Sequence, residues 1–198
     1  MEIASHNSWT FQKPEHFWMR PMQLVAKCQQ YNIASQWTGG IRCFDLRVRF
    51  FPDGMPYFCH GLVEYPGNVS MELMALDRLA EKDHTLAYCR VMFEDNVRMR
   101  DRDAQVNSFV RFCDYVNNHR DFSHIIFFGG WSKSGWTDDM LYDFKTPEPR
   151  LRECHASVSG SVPKKWFPQW FAKTKTTHIL KSYAACCGED GYFMTDFI

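Results

Sequence analysis

The chain has no surplus of charge of either sign. Its 23 basic and 23 acidic residues cancel, and the pI is about 7.1. A neutral chain lacks the electrostatic footprint of a nucleic-acid binder, so nucleic acid is not an expected partner. There is no C-x-x-C pair, which argues against structural zinc. No stretch approaches the roughly 20 apolar residues that a transmembrane helix needs. The N-terminus shows no basic-then-apolar run of the signal-peptide kind. Internal repeats, low-complexity tracts and linker-like segments are also lacking, so residues 1–198 read as a single domain, long enough to bury a proper core. The eight cysteines are scattered, some inside apolar segments (Cys89, Cys113), and the adjacent Cys186–Cys187 pair is awkward to bridge. Reduced thiols in a reducing compartment, and a cytoplasmic rather than secreted location, are the expectation.

Aromatics are plentiful, with 17 Phe and 7 Trp, and one segment shows unusual order. Between Gly39 and Gly61, Phe44, Leu46, Val48 and Phe50 alternate with Asp45, Arg47 and Arg49. Period two predicts a strand. Its polar face carries one carboxylate and two guanidiniums, which are costly to bury unless they have a job. Pro52-Asp53-Gly54 is a turn signal. The connector to Tyr57–Cys59 is too short for a parallel crossover. A hairpin is therefore expected, bringing His60 back towards Asp45 and Arg47.

Residues Met1–Ser5 read as a first strand, with His6-Asn7-Ser8 at its end. Met22–Tyr31 suits a helix with Leu24, Val25 and Cys28 inward. Ser70 is a plausible N-cap ahead of Leu73, Leu76, Leu79 and Ala80 at helical spacing. Leu86–Phe93 is a strand running into Glu94. Ala104–Asn117 is the clearest helix, with Val106, Phe109, Val110, Cys113 and Val116 as its apolar stripe. His124–Phe128 is a buried-type strand ended by Gly129-Gly130, and 131–149 reads as polar and irregular. His155–Val158 suits a strand. Pro163–Lys173 is helix-like but interrupted by Pro168, and His178–Ala184 fits either strand or helix. Tyr192–Ile198 is a final strand containing Asp196. Strands alternating with helices imply a mostly parallel α/β sheet. Polar residues at the strand C-terminal ends (His6, Arg47, Glu94) match the catalytic rim of a (β/α) barrel. Full barrels run to about 250 residues, so a short, irregular TIM barrel with reduced helices is expected.

Two histidines, an arginine and two aspartates in these places suit phosphodiester cleavage. One imidazole takes a proton from the attacking hydroxyl, and the other gives one to the leaving oxygen. The guanidinium offsets charge on the phosphoryl oxygens. Taken singly, each residue has a structural explanation: His6 as a core or capping residue, His60 as a turn residue, Asp45 with Arg47 as an ion pair, Asp196 as an end cap. Their conjunction is what points to a site.

Ser5-His6-Asn7-Ser8, Gly40-Ile41-Arg42-Cys43-Phe44-Asp45-Leu46-Arg47 and His60-Gly61, in this order and spacing, resemble the catalytic X region of phosphatidylinositol-specific phospholipases C. The resemblance is strong over about residues 3–64 and thin beyond the Glu94 strand until Asp196. It implies an irregular TIM barrel in which His6 is the general base, His60 the general acid and Arg47 the phosphate ligand. Asp45 would organise the Arg47 and His60 side, and Asp196 would orient His6. The implied substrate is a phospholipid or a soluble phosphodiester, with attack by a vicinal hydroxyl giving a cyclic phosphodiester.

Eukaryotic members bind calcium through residues in the places of Asn7, Asp45 and Glu94. This chain has Arg47 where their second acidic ligand falls, as bacterial members do, so the resemblance implies a metal-independent site with no cofactor. Two departures stand out: bacterial members usually have Asp at the Asn7 position and a basic residue near Glu94. Asn7, Glu94 and Trp131 are candidate substrate-binding residues, with Trp136 also near the rim. Trp166, Phe167, Trp170 and Phe171, beside Lys164, Lys165 and Lys173, form a candidate patch for peripheral membrane contact. The alternatives are a calcium- or magnesium-dependent glycerophosphodiesterase-like enzyme using Asn7, Asp45 and Glu94, and a barrel that binds phosphorylated head groups without turnover.

Overall fold

Strand β2 (Cys43–Phe50) is the one on which the sheet is built, and all of its residues are buried. Its apolar face, with Phe44, Leu46, Val48 and Phe50, enters the main core, as the period-two pattern predicts. The polar face is buried as well: Asp45, Arg47 and Arg49 are 1%, 4% and 6% exposed. It is therefore no wet sheet face but the interior wall of a site.

The computed structural model describes residues 2–95, 101–134, 137–154 and 192–195. β1 (Glu2–Ser5) lies parallel to β2 on one side and to β9 (Tyr192–Thr195) on the other, so the last strand sits beside the first. β5 (Ala87–Phe93) runs parallel to β2, and β6 (Ile125–Ser134) parallel to β5. β8 (Leu151–Cys154) is parallel to β9, and β7 (Thr137–Met140) turns back antiparallel on β6. β3 (Pro56–His60) pairs antiparallel with β2, placing Val48 opposite Phe58, and β4 (Val63–Tyr65) continues that hairpin. The result is a mixed sheet in the order β7-β6-β5-β2-β1-β9-β8, with the hairpin off this path. Among the described residues the path is open, and the closed wall of a barrel is not seen in them.

Two helices cover the apolar face. Helix α3 (Val69–Lys82) buries Val69, Leu73, Leu76 and Ala80. Its cap is Asn68, whose side chain accepts from Met71 N at 3.1 Å, so the expected Ser70 cap lies inside the helix. Helix α4 (Arg102–Asn118) buries Phe109, Phe112, Cys113 and Val116. Phe50, Phe93 and Phe109 cluster beneath it, with ring centroids 5.4–6.4 Å apart.

Other sequence expectations are corrected. The Met22–Tyr31 helix is only α1 (Gln23–Ala26), preceded by a 3-10 turn over Phe17–Met22, and Leu24 is 69% exposed. The chain leaves the helix because Cys28 N and Gln29 N both donate to Thr10 Oγ1, at 2.9 and 3.1 Å. A further helix, α2 (Ile33–Thr38), follows, capped by Asn32. Gly129-Gly130 does not end β6. The pairing register shifts there, from Val91↔Gly129 to Met92↔Trp131, leaving Gly130 as the extra residue of a β-bulge. Both glycines have positive φ (93° and 84°), and a Cβ at Gly130 would overlap the Tyr142 carbonyl. The strand continues past the bulge and delivers Trp131, Ser132 and Lys133. The expected elements at 155–158, 163–173 and 178–184, with the aromatic-basic patch, lie outside the described residues, as do Trp136 and Asp196.

Candidate active site

His6 follows β1, Arg47 lies towards the C-terminal end of β2, Glu94 follows β5, and Trp131 and Lys133 lie at the end of β6. These strands are parallel, so their C-terminal ends form one rim. β3, the antiparallel return from β2, brings His60 to the same place: the His6 and His60 rings are edge-on, with centroids 6.0 Å apart.

Arg47 is the hub. Its Nε donates to Asp45 Oδ2 at 3.1 Å, Nη1 to Glu94 Oε2 at 3.0 Å, and Nη2 reaches His6 Nε2 at 2.9 Å. A guanidinium only donates, so His6 accepts through Nε2. Asp45 is held from both sides: Oδ2 also accepts from Asn7 N at 3.1 Å, and Oδ1 accepts from Arg90 Nε at 2.9 Å. Burial alone would raise the Asp45 pKa, but the Arg90 and Arg47 charges outweigh it and hold the carboxyl far below the usual range. Glu94 is likewise pulled down, against burial, chiefly by Arg47. Burial would weaken the Arg47 charge, and Asp45 and Glu94 reverse that and strengthen it. Buried ions are tolerable only when so compensated.

His60 is different. Its Nδ1 lies 2.7 Å from the Ala26 carbonyl oxygen, which only accepts, so Nδ1 carries the proton and Nε2 is the free nitrogen. Burial and then the Arg47 charge push its pKa down to about 4, although Glu94 acts the other way.

Asn7 adopts a left-handed backbone (φ 46°), which asparagine tolerates, and this turns its backbone N–H towards Asp45. Its side-chain nitrogen lies 3.4 Å from His6 Nε2. Asn7 and Glu94 are 2% and 0% exposed, behind the rim. The neighbouring cleft, of about 350 Å³, is lined by Arg47, Arg90, Phe128, Trp131 and Lys133 among others. Trp131 Nε1 donates there to Glu148 Oε1 at 3.3 Å. Of the sequence-predicted residues, the structure brings His6, Asn7, Asp45, Arg47, His60 and Glu94 together and places Trp131 at the adjoining cleft.

The sequence matches no protein-family model and no curated protein. Solved structures do match. A phosphatidylinositol-specific phospholipase C from Listeria monocytogenes superposes with a TM-score of 0.62 at 12% identity, over 100% of this chain and 88% of that one. A point mutant of the Staphylococcus aureus enzyme gives 0.61 at 15% identity, over 98% and 84%. Another S. aureus structure, from work on its membrane binding, gives 0.62 at 14% identity, over 99% and 85%. The chain has the fold of bacterial phosphatidylinositol-specific phospholipases C.

Within this phospholipase C fold, sequence reasoning missed Arg90, Lys133, Cys28 and Gln29. Arg90 had a signal: a cation amid Ala87, Cys89, Val91 and Phe93 on a buried strand, which demands a partner. Lys133 was hidden because the glycine pair read as a stop. Cys28 and Gln29 fall within the expected Met22–Tyr31 helix, which ends before them.

Proposed function

We propose that this chain cleaves phosphoric diesters by two-histidine acid–base catalysis, in the manner of phosphatidylinositol-specific phospholipase C. The observation that carries the reading is the pair His6 and His60, with ring centroids 6.0 Å apart and Arg47 Nη2 2.9 Å from His6 Nε2. A phosphate oxygen that takes over this Nη2 donor frees His6 Nε2 to accept the proton of a hydroxyl vicinal to the phosphate. The deprotonated hydroxyl oxygen attacks phosphorus and the bond to the leaving oxygen breaks. His60 Nε2 delivers the proton, leaving a cyclic phosphodiester and an alcohol. His60 must be protonated for this step. Burial and the Arg47 charge depress its pKa, and an anionic phosphate offsets the second of these, so substrate binding favours the protonated acid. Asp45 fixes Arg47, and Trp131 borders the substrate.

The residues do not fit a divalent cation. Both Asp45 oxygens and Glu94 Oε2 already accept from Arg47, Arg90 and Asn7 N, which leaves only Glu94 Oε1 of these four oxygens without a hydrogen bond, and the Arg47 cation bridges the two carboxylates. Among the described residues, no group of three or more His, Cys, Asp or Glu could hold a metal. A metal-independent reaction is therefore the reading, because a cation held by Asn7, Asp45 and Glu94 would have to displace the Arg47 guanidinium from both carboxylates.

A phospholipid substrate with peripheral membrane contact is supported by the far side of His60. An apolar cavity of about 210 Å³ is lined by Met22, Ala26, His60 and Leu62. Phe17, Trp18, Leu24 and Leu62, on the turns over Phe17–Ala26 and between β3 and β4, are 72%, 59%, 69% and 53% exposed. Exposed aromatics beside a site suit an interface with lipid.

The test is phosphorus NMR with phosphatidylinositol micelles, with and without EDTA, beside His60→Ala. A cyclic inositol phosphate signal that survives EDTA and vanishes in the variant is expected. No product in either condition rejects the inositol lipid as substrate. Binding without turnover that persists in His6→Ala would favour a head-group-binding protein.

A further inference from the structure

Both histidines are gripped by one short segment, Ala26–Gln29, that no catalytic motif includes. Ala26 is the last residue of α1, and its carbonyl oxygen receives His60 Nδ1–H at 2.7 Å. The Cys28 sulfur lies 3.6 Å from that same nitrogen and 3.7 Å from that same oxygen. On its other side it accepts from Asn7 Nδ2 at 3.9 Å, the amide that also lies 3.4 Å from His6 Nε2. Gln29 Nε2 donates to the His6 carbonyl at 2.9 Å and the Thr195 carbonyl at 3.1 Å, fastening the turn after β1 to the end of β9. The segment is itself pinned, because Cys28 N and Gln29 N share Thr10 Oγ1. Cys28 and Gln29 are 1% and 0% exposed.

We infer that Ala26–Gln29 is a positioning clamp that sets the spacing and orientation of His6 and His60, with Cys28 as the positioning residue for His60 and Gln29 for the His6 backbone. In this clamp a neutral carbonyl and a thiol contact His60 Nδ1, so the tautomer is fixed by acceptors that carry no charge. Nε2 is left as the nitrogen that exchanges protons. The inference rests on the proposed reaction only for its kinetic consequence; the histidine geometry is testable without turnover.

The charged and titratable groups that act on His60 are Arg47 on β2, Glu94 after β5 and Lys133 on β6. None is altered in the test variants, which are Cys28→Ser, Cys28→Ala and Thr10→Val. Ring ¹⁵N spectra of histidine-labelled protein at pH 7.5 are expected to show His60 as the Nδ1–H tautomer in the parent and in Cys28→Ser. Averaging of the two tautomers is expected in Thr10→Val, where the clamp loses its anchor. In turnover of phosphatidylinositol, Cys28→Ala is expected to lower kcat about tenfold with KM unchanged, since a misplaced catalytic group costs rate rather than binding. Cys28→Ser should retain most of the activity. An Nε2–H or averaged His60 in the parent overturns the clamp, as does Cys28→Ala with parental kcat and parental tautomer. If the tautomers behave as stated and no protein turns over the lipid, the clamp stands and the proposed reaction falls.

Discussion

Arg47 donates to Asp45, Glu94 and His6 at once, and that arrangement makes its removal costly in two ways. Arg47→Met leaves two buried carboxylates facing each other without their shared cation, a loss on the order of 3–5 kcal/mol. Urea denaturation should show it, and adding Glu94→Gln should recover part of the loss because one of the stranded charges disappears. Arg47→Lys keeps the charge but not the fork, so stability should fall less while turnover drops about a hundredfold. His60 gives a pH signature with a definite sign. Its pKa is about 4 when folded, against 6.5 for an ordinary histidine. Between those values the unfolded chain binds the proton and the folded one does not, so stability is full above about pH 6.5 and is lost as pH falls towards about 4. Carboxylates titrate in the same direction. The check is therefore the difference in melting temperature between pH 7.5 and 5.0, which should be smaller in His60→Gln than in the parent. At this scale the sequence was informative where chemistry-bearing residues stood in an ordered motif. His6, Asp45, Arg47 and His60 were all legible in that way. The need of Arg90 for a partner was legible but not the partner itself, because Asp45 lies on another strand and only the sheet register, Asp45↔Arg90, brings them together.

The β2–β3 hairpin was legible because two independent signals agreed, period-two alternation and a Pro-Asp-Gly turn. Where a distant residue decides, local reading fails. The helix expected over Met22–Tyr31 stops at Ala26 because Thr10 captures the next backbone donors, and nothing within 22–31 announces that. The glycine pair is ambiguous for another reason: positive φ suits a chain stop and a bulge equally well, and only the cross-strand register tells them apart. The bulge predicts its own sensitivity. Gly130→Ala puts a Cβ into the Tyr142 carbonyl at a left-handed position, which should cost about 1–3 kcal/mol in urea denaturation. It should also quench or shift Trp131 fluorescence, since Trp131 is the next residue on β6. Asn68→Ala, which removes the α3 cap far from the rim, should cost about 1 kcal/mol and leave turnover unchanged.

For the whole molecule, a resident metal would stabilise the folded state by mass action, and its removal would lower the melting temperature. With the Arg47 guanidinium lying between Asp45 and Glu94, neither EDTA nor millimolar calcium should move the melting temperature of this protein. A shift of several degrees with either would restore the metal-dependent alternative. The parallel core of the sheet was legible from alternating strands and helices, but its open order among the described residues was not, because no local pattern encodes which edge strands meet. The buried ring of Asp45, Arg47, Glu94 and Arg90 has one more effect, on how a substrate arrives. Its two carboxylates and two guanidiniums cancel, and the chain as a whole is formally neutral. Such a site projects little field beyond the Debye length of about 8 Å at physiological salt. Encounter should then be governed by diffusion and by the lipid surface rather than by electrostatic steering, and kcat/KM on a soluble phosphodiester should change by no more than about twofold between low and physiological ionic strength.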